Sequence, residues 1–446
     1  MKKTLMGPLC ASVLAMIGLV ATARAAGIAE HASHFKVAGI EVITYPTAVK
    51  DVVTLVGSFP AGDAFAAGDN AAIATLTGMM LDKGTAHRDR FAIAQALETS
   101  GAQLKFGVGK QTVRIEGRAL KNDLPRLIQI LAEELREPAF PPEELAKAKK
   151  QLEGTLRQQM EDTNFRARQA LLQSVFAPGH PNHVAGLDDW LAAVDTATLE
   201  GVQAFYRKYY GPAHLVLVFA GSVDDKTIQS ELSKAFSGWT GGAEAVRGTE
   251  AGELRVLRVQ EIPVAQKTSV SMLLGQPTGL RYQDPDALAL RVGTAILGSG
   301  FTGRLMSTVR DQEGLTYGIG AAIFDDEFVD GYFAINATFA PTLLDKGIAA
   351  SRHELVKWWQ GGVTGEELAA RKTNLVGRYE VGLSTAAGMA GTILATVERG
   401  KPLTWLDEYP QAIEALTVEQ VNSAIKKHLD PEKMVMAAAG TFEAAH

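Results

Sequence analysis

The 446-residue chain contains a single cysteine, Cys10. One thiol cannot form an intramolecular disulfide or a thiolate metal cluster. Basic residues are also in short supply, with 44 Lys and Arg against 50 Asp and Glu and a formal charge of −6. Nucleic-acid binding depends on basic patches that displace phosphate counterions, so this balance excludes nucleic acid as a partner. Beyond the N-terminus no apolar run is long enough for stable membrane insertion, which takes about 20 residues. Neither H-x-x-E-H nor H-E-x-x-H occurs anywhere. The helical pairing of two imidazoles with a glutamate base is therefore missing.

The one apolar run, Leu5 to Val20, follows Lys2-Lys3 and precedes Ala23-Arg24-Ala25. That succession of charged, apolar and small residues is the pattern of a secretory signal peptide. Cleavage after residue 25 is expected, leaving a periplasmic or secreted chain. Cys10 departs with the leader, and so do Lys2, Lys3 and Arg24, which moves the formal charge from −6 to −9.

The length exceeds the roughly 250–300 residues at which single cores stop growing, so more than one core is expected. Alternating apolar residues from Val37 to Phe59 predict two strands, and helices follow at about 69–82 and 88–99. Strands return around Leu104–Val108 and Val113–Ile115. Leu124, Leu127, Ile128, Leu131 and Leu135 share one helical face, and a second helix from about Glu143 carries Leu145, Ala148, Leu152, Leu156 and Met160. Hairpin-joined strands set among helices predict an antiparallel or mixed sheet covered by helices on one side, an α+β architecture.

Residues 196–223 align without a gap to 415–442 at a constant offset of 219. Thr198, Glu200, Val202, Lys208, Pro212, Val216, Ala220 and Gly221 meet Thr417, Glu419, Val421, Lys427, Pro431, Val435, Ala439 and Gly440. Each copy runs amphipathic helix, Pro turn, apolar strand, Gly. The chain thus reads as two homologous halves, 26–237 and 255–446, joined by a Gly-containing linker at 238–254 that opens on Gly238-Trp239-Thr240-Gly241-Gly242.

Three stretches together resemble the insulinase-like (M16) zinc metallopeptidases. They are Ile296–Leu305, a small-residue turn into a helix; Arg310-Asp311-Gln312-Glu313-Gly314-Leu315-Thr316-Tyr317, which resembles the family's R-x-x-x-G-L-x-Y signature; and Leu81-Asp82-Lys83-Gly84-Thr85, similar to the segment just after its zinc motif. The resemblance spans nearly the whole mature chain. It implies duplicated α+β halves, each an antiparallel or mixed sheet covered by helices. In active members H-x-x-E-H supplies two ligands and the base, and a Glu roughly 75 residues later supplies the third ligand. Here Thr75 and Met79 stand at the two His positions and Gly78 at the Glu position, while the third-ligand position falls at Glu153 or Leu156.

The resemblance also implies roles for Arg310 and Tyr317, which in the family face the zinc site from the second half. The Tyr is expected to hydrogen-bond the developing oxyanion and the Arg to hold the substrate backbone. The expected arrangement has no cofactor in this chain and zinc in a partner, an M16 homologue with an intact motif. The two would form a heterodimer acting on unfolded peptides. The alternative is a non-enzymatic peptide-binding or scaffold protein that keeps the fold.

The remaining motifs carry less chemistry. His180 and His183 lie in a Gly-His-Pro-Asn-His turn and His31 and His34 near the mature N-terminus, while His87, His214, His353 and His428 are isolated. All are read as loop, surface or cap residues. Gly298-Ser299-Gly300-Phe301-Thr302-Gly303 spells G-x-G-x-x-G, but a dinucleotide fingerprint follows a strand, and Asp286 to Leu297 reads as a helix.

Overall fold

The computed structural model describes residues 27–442 apart from 67, 248–251 and 253–257. The expected signal peptide and part of the linker lie outside the described residues. The first half comprises α1 (Ile28–His31), β1 (Ser33–Val37), β2 (Ile40–Pro46), β3 (Val52–Pro60), α2 (Ile73–Met79), α3 (Arg90–Thr99), β4 (Gln103–Val108), β5 (Thr112–Leu120), α4 (Leu124–Arg136), α5 (Pro142–Met160), α6 (Thr163–Val175), α7 (Leu187–Thr196), α8 (Leu199–Tyr209), β6 (Val216–Gly221) and α9 (Asp225–Ala235). The second comprises β7 (Arg258–Pro263), β8 (Val270–Pro277), α10 (Ala287–Gly298), a π-helical turn (Met306–Gln312), β9 (Thr316–Phe324), β10 (Tyr332–Phe339), α11 (Leu344–Gly361), α12 (Gly365–Leu383), α13 (Ala386–Glu398), α14 (Trp405–Ala415), α15 (Val418–His428) and β11 (Val435–Gly440).

The first sheet runs β1-β2-β6-β3-β5-β4 and the second β7-β11-β8-β10-β9. The second order is the first without β1, with β7 and β11 parallel as β2 and β6 are. At the offset of 219, α8 falls on α15 and β6 on β11 residue for residue. The caps repeat too: Thr198 accepts a bond from Gly201 N and Thr417 from Gln420 N, the side-chain caps that free amides at a helix start require. The two strands read between Val37 and Phe59 are β2 and β3, and a further strand, β1, precedes them, with Ala38-Gly39, both at positive φ, turning the chain between β1 and β2.

The helices cover more than one side of each sheet. In β6, Leu217 and Phe219 pack into the core of their own half, while Val216, Val218 and Ala220 pack against Met389, Ala390, Ile393 and Leu394 of α13. The exchange is reciprocal. Met436 and Ala438 of β11 face their own core, and Val435, Ala437 and Ala439 meet Ala167, Leu171, Leu172 and Val175 of α6. Each half thus lends one helix to the other half's sheet. This is why both strands are apolar at every position, as strands buried on two faces must be.

Polar contacts reinforce the junction. Lys110 Nζ lies 2.6 Å from Asp325 Oδ2, and Arg168 donates to Tyr332 Oη at 3.0 Å. His180 Nε2 donates to Asp330 Oδ1 at 2.8 Å while its Nδ1 accepts from Asn182 N at 3.0 Å. His183 bonds the carbonyl of Phe176 at 2.8 Å. Both histidines of the Gly-His-Pro turn are therefore structural. Among the described residues no single helix is long and apolar enough to cross a membrane. The pair α12–α13 reaches that composition only jointly, across a 114° bend.

Candidate functional site

The π-helical turn is closed by Glu313 N donating to Thr308 O at 3.0 Å, and the chain reverses at Gly314, whose φ of +65° suits a residue without a Cβ. This widened turn carries Arg310, and β9 begins immediately afterwards with Thr316 and Tyr317. The Arg310 guanidinium lies 5.2 Å from the ring centre of Phe301 and 5.2 Å from that of Tyr317. Both rings face solvent, at 74% and 91% exposure. Its ion pair with Asp311 is long, at 3.8 Å. Cation–π contact of this kind contributes about 0.5–1 kcal/mol at exposed sites and leaves the donors free.

Arg310 and Tyr317 thus come together at one mouth, a cleft of about 520 Å³ lined also by Asn164, Gly300, Phe301 and Asn336. Phe301 was not singled out in the sequence. The available signal was a large aromatic in an otherwise small-residue turn, where nothing local buries it. The G-x-G-x-x-G stretch that contains it follows α10, not a strand, so the dinucleotide context is absent.

The positions in α2 are arranged differently. Thr75 Oγ1 donates to Asp63 Oδ1 at 2.9 Å, and burial pushes the Asp63 carboxyl up to about 7 against that bond. A Cβ on Gly78 would fall 2.3 Å from Val108 Cγ2 of β4 and 4.0 Å from the hydroxyl of Tyr210. Met79 packs partly buried against the core. Leu156 is buried in that core, whereas Glu153 is half-buried and accepts from Arg157 Nη2 at 2.7 Å on its own helix. A hydroxyl, a glycine hydrogen and a thioether do not make a zinc donor set, which needs imidazole, carboxylate or thiolate. Among the described residues no group of three or more His, Cys, Asp or Glu is placed to hold a metal ion. None of Thr75, Gly78 and Met79 lines the Arg310–Tyr317 cleft.

Four of the other histidines have protein partners. His34 lies 3.0 Å from Glu41, His87 2.8 Å from Glu137, and His428 2.9 Å from Asp286, while His31 bonds the carbonyl of Gly27 at 2.9 Å.

Residues 41–183 match the insulinase (peptidase family M16) profile, and residues 196–375 match that of the peptidase M16 inactive domain. An uncharacterized zinc protease of Streptomyces coelicolor is 26% identical over 323 residues, covering 70% of this chain and 69% of that protein. The non-peptidase homolog YmxG of Helicobacter pylori is 22% identical over 388 residues, covering 85% and 87%. Among solved structures, a peptidase M16 inactive domain from Pseudomonas fluorescens superposes with a TM-score of 0.84 at 26% identity, covering 93% of this chain and 99% of that one. The periplasmic protease PqqL of Escherichia coli superposes at 0.73 and 15% identity, with 98% of this chain covering 49% of that one. The two family matches, the duplicated sheets and the signature at Arg310–Tyr317 agree: the chain belongs to the insulinase-like M16 family, as a homologue without the family's zinc-ligand residues.

Proposed function

We propose that this chain is the non-catalytic, substrate-binding subunit of a periplasmic two-chain M16-type zinc peptidase. The observation that carries this reading is the contrast between its two ends. Val108 and Asp63 occupy or engage the helix where the ligands would stand, while Tyr317 is presented to solvent beside a half-buried Arg310 whose ion pair with Asp311 is long. A zinc-bearing M16 homologue is the proposed partner. Tyr317 would donate to the oxyanion forming at the partner's site, and Arg310 would hold the backbone of an unfolded peptide. Removing one such donor costs about 10²–10³ in rate. The match to half of PqqL supports the pairing, since a unit of this size occurs there within a chain about twice as long. The proposed heterodimer supplies the second unit as a separate chain, and the leader at residues 1–25 would bring this one to the same compartment.

The competing reading, a peptide-binding or scaffold protein without enzymatic function, draws support from β9. That strand closes one end of the second sheet, so its outer edge is open to strand addition. The test is hydrolysis of unfolded peptides by the chain co-purified with an H-x-x-E-H homologue. Arg310→Ala and Tyr317→Phe are each expected to lower the rate by about 10² or more. An unchanged rate in both would leave the scaffold reading in place.

A further inference from the structure

A second cavity of about 520 Å³ lies beneath the α12–α13 bend, between α10, the end of β9 and α14. Its walls combine two features. The first is aromatic surface: Tyr409 packs 4.7 Å from Tyr379 and 6.0 Å from Trp405, and Tyr282 lies nearby. The second is a pair of guanidinia that share Tyr282, with Arg399 at 4.1 Å and Arg291 at 5.0 Å from its ring centre.

The polar groups there are under-used. Arg291 pairs with Asp326, but Arg399 meets Glu327 only at 3.5 Å. The Nε atoms of both arginines are buried and have no hydrogen-bond partner among the described residues. Thr294, 1% exposed and also lining the cavity, has a hydroxyl in the same condition. Buried donors are almost always satisfied, by protein, water or ligand. A planar fork of N–H donors matches a carboxylate in two-point geometry. Flat aromatic walls match a flat apolar body, and the volume falls within the range of roughly 300–1,000 Å³ of small-ligand sites.

We propose that this cavity binds an organic carboxylate attached to a flat apolar group, with Arg399 and Arg291 receiving the carboxylate and Tyr282, Tyr409 and Trp405 enclosing the ring. Two sources share that chemistry: a free aromatic acid and the C-terminal residue of a peptide ending in Phe. The site is separate from the Arg310–Tyr317 cleft and does not need a second chain.

The experiment is titration calorimetry on the chain alone with phenylpropionate, with Ala-Ala-Phe, and with Ala-Ala-Phe amide. At least one acid is expected to bind saturably, and the amide at least about 10-fold more weakly than the acid, the equivalent of one strong interaction. Which acid binds identifies the source. Arg399→Gln, and Ala395→Leu, which extends a side chain from the α13 wall into the cavity, are each expected to weaken binding by about 10-fold or more, with thermal melts showing that the variants are folded. Ala395→Leu keeps the test open if Arg399→Gln does not fold. Equal binding of acid and amide, no binding of either acid in the millimolar range, or undiminished binding by folded Ala395→Leu would each overturn the proposal.

Discussion

A side chain at Gly78 would place its Cβ 2.3 Å from Cγ2 of Val108, so the Val108 side chain of β4 stands in the space that a general-base glutamate would need. The loss of the zinc motif is therefore three-dimensional as well as chemical. Installing Thr75→His, Gly78→Glu and Met79→His together should not recreate a metal site. Overpacking against Val108 is expected to cost about 1–3 kcal/mol. Zinc analysis and thermal melting check this, and stoichiometric zinc in a triple variant of unchanged stability would contradict it.

Phe301 and Tyr317 both contact the Arg310 guanidinium, at equal ring distances of 5.2 Å. Phe301→Ala removes one face of that support and no donor. In the co-purified pair it should raise KM with kcat little changed, by about 2- to 5-fold, which corresponds to the roughly 0.5–1 kcal/mol of one exposed cation–π contact. Steady-state kinetics check it. A loss as large as that of Arg310→Ala would mean that Phe301 touches substrate itself.

The exchanged helices make a prediction about cooperativity. Ile393 of α13 is fully buried on the first sheet and Leu171 of α6 on the second. Ile393→Ala and Leu171→Ala should each cost about 2–5 kcal/mol. Both should lower a single denaturation transition, because neither sheet keeps its second cover once the other half opens. A separate, earlier transition of one half in either variant would show that the halves are not interlocked in this way.

Asp63 predicts a pH dependence. Its carboxyl is raised from 3.8 to about 7 in the folded chain, with burial as the main cause and the Thr75 hydrogen bond opposing it. The unfolded chain ionises first, so the stability this group contributes is full below pH 4 and is lost as pH rises to about 7. Asp63→Asn keeps an acceptor for Thr75 and removes the titration. Relative to the parent, it should gain about 1–2 kcal/mol between pH 4 and pH 8, a figure discounted for solvent around this part-exposed group. Denaturant midpoints at the two pH values check it, and a constant difference would contradict it.

Much of this architecture is legible along the chain because its signals are local. The helix stripes at Leu124–Leu135 and Leu145–Leu156 are buried where their spacing places them. The offset of 219 survives because each copy must cap the same helix and feed the same strand. The exchange of α6 and α13 is not legible, since the strand each covers lies far away in sequence, β6 at 216–221 for α13 at 386–398 and β11 at 435–440 for α6 at 163–175. Its trace is indirect: Val216 to Ala220 and Val435 to Ala439 lack the polar alternation of a one-sided sheet. Arg310 and Tyr317 stand out through a motif, whereas Phe301 joins them only through the fold. Val108 gives no warning at all, because an ordinary strand valine becomes informative only when β4 is laid beside α2.

Catalysis in which this chain takes part is proposed to depend on a metal held by another chain. The most direct measurement is metal content and peptide hydrolysis of the isolated chain, before and after addition of the zinc-bearing homologue. Substoichiometric zinc and no turnover are expected of the chain alone, with hydrolysis appearing on mixing and lost with Arg310→Ala. Tightly bound zinc together with peptide cleavage by the isolated chain would contradict it.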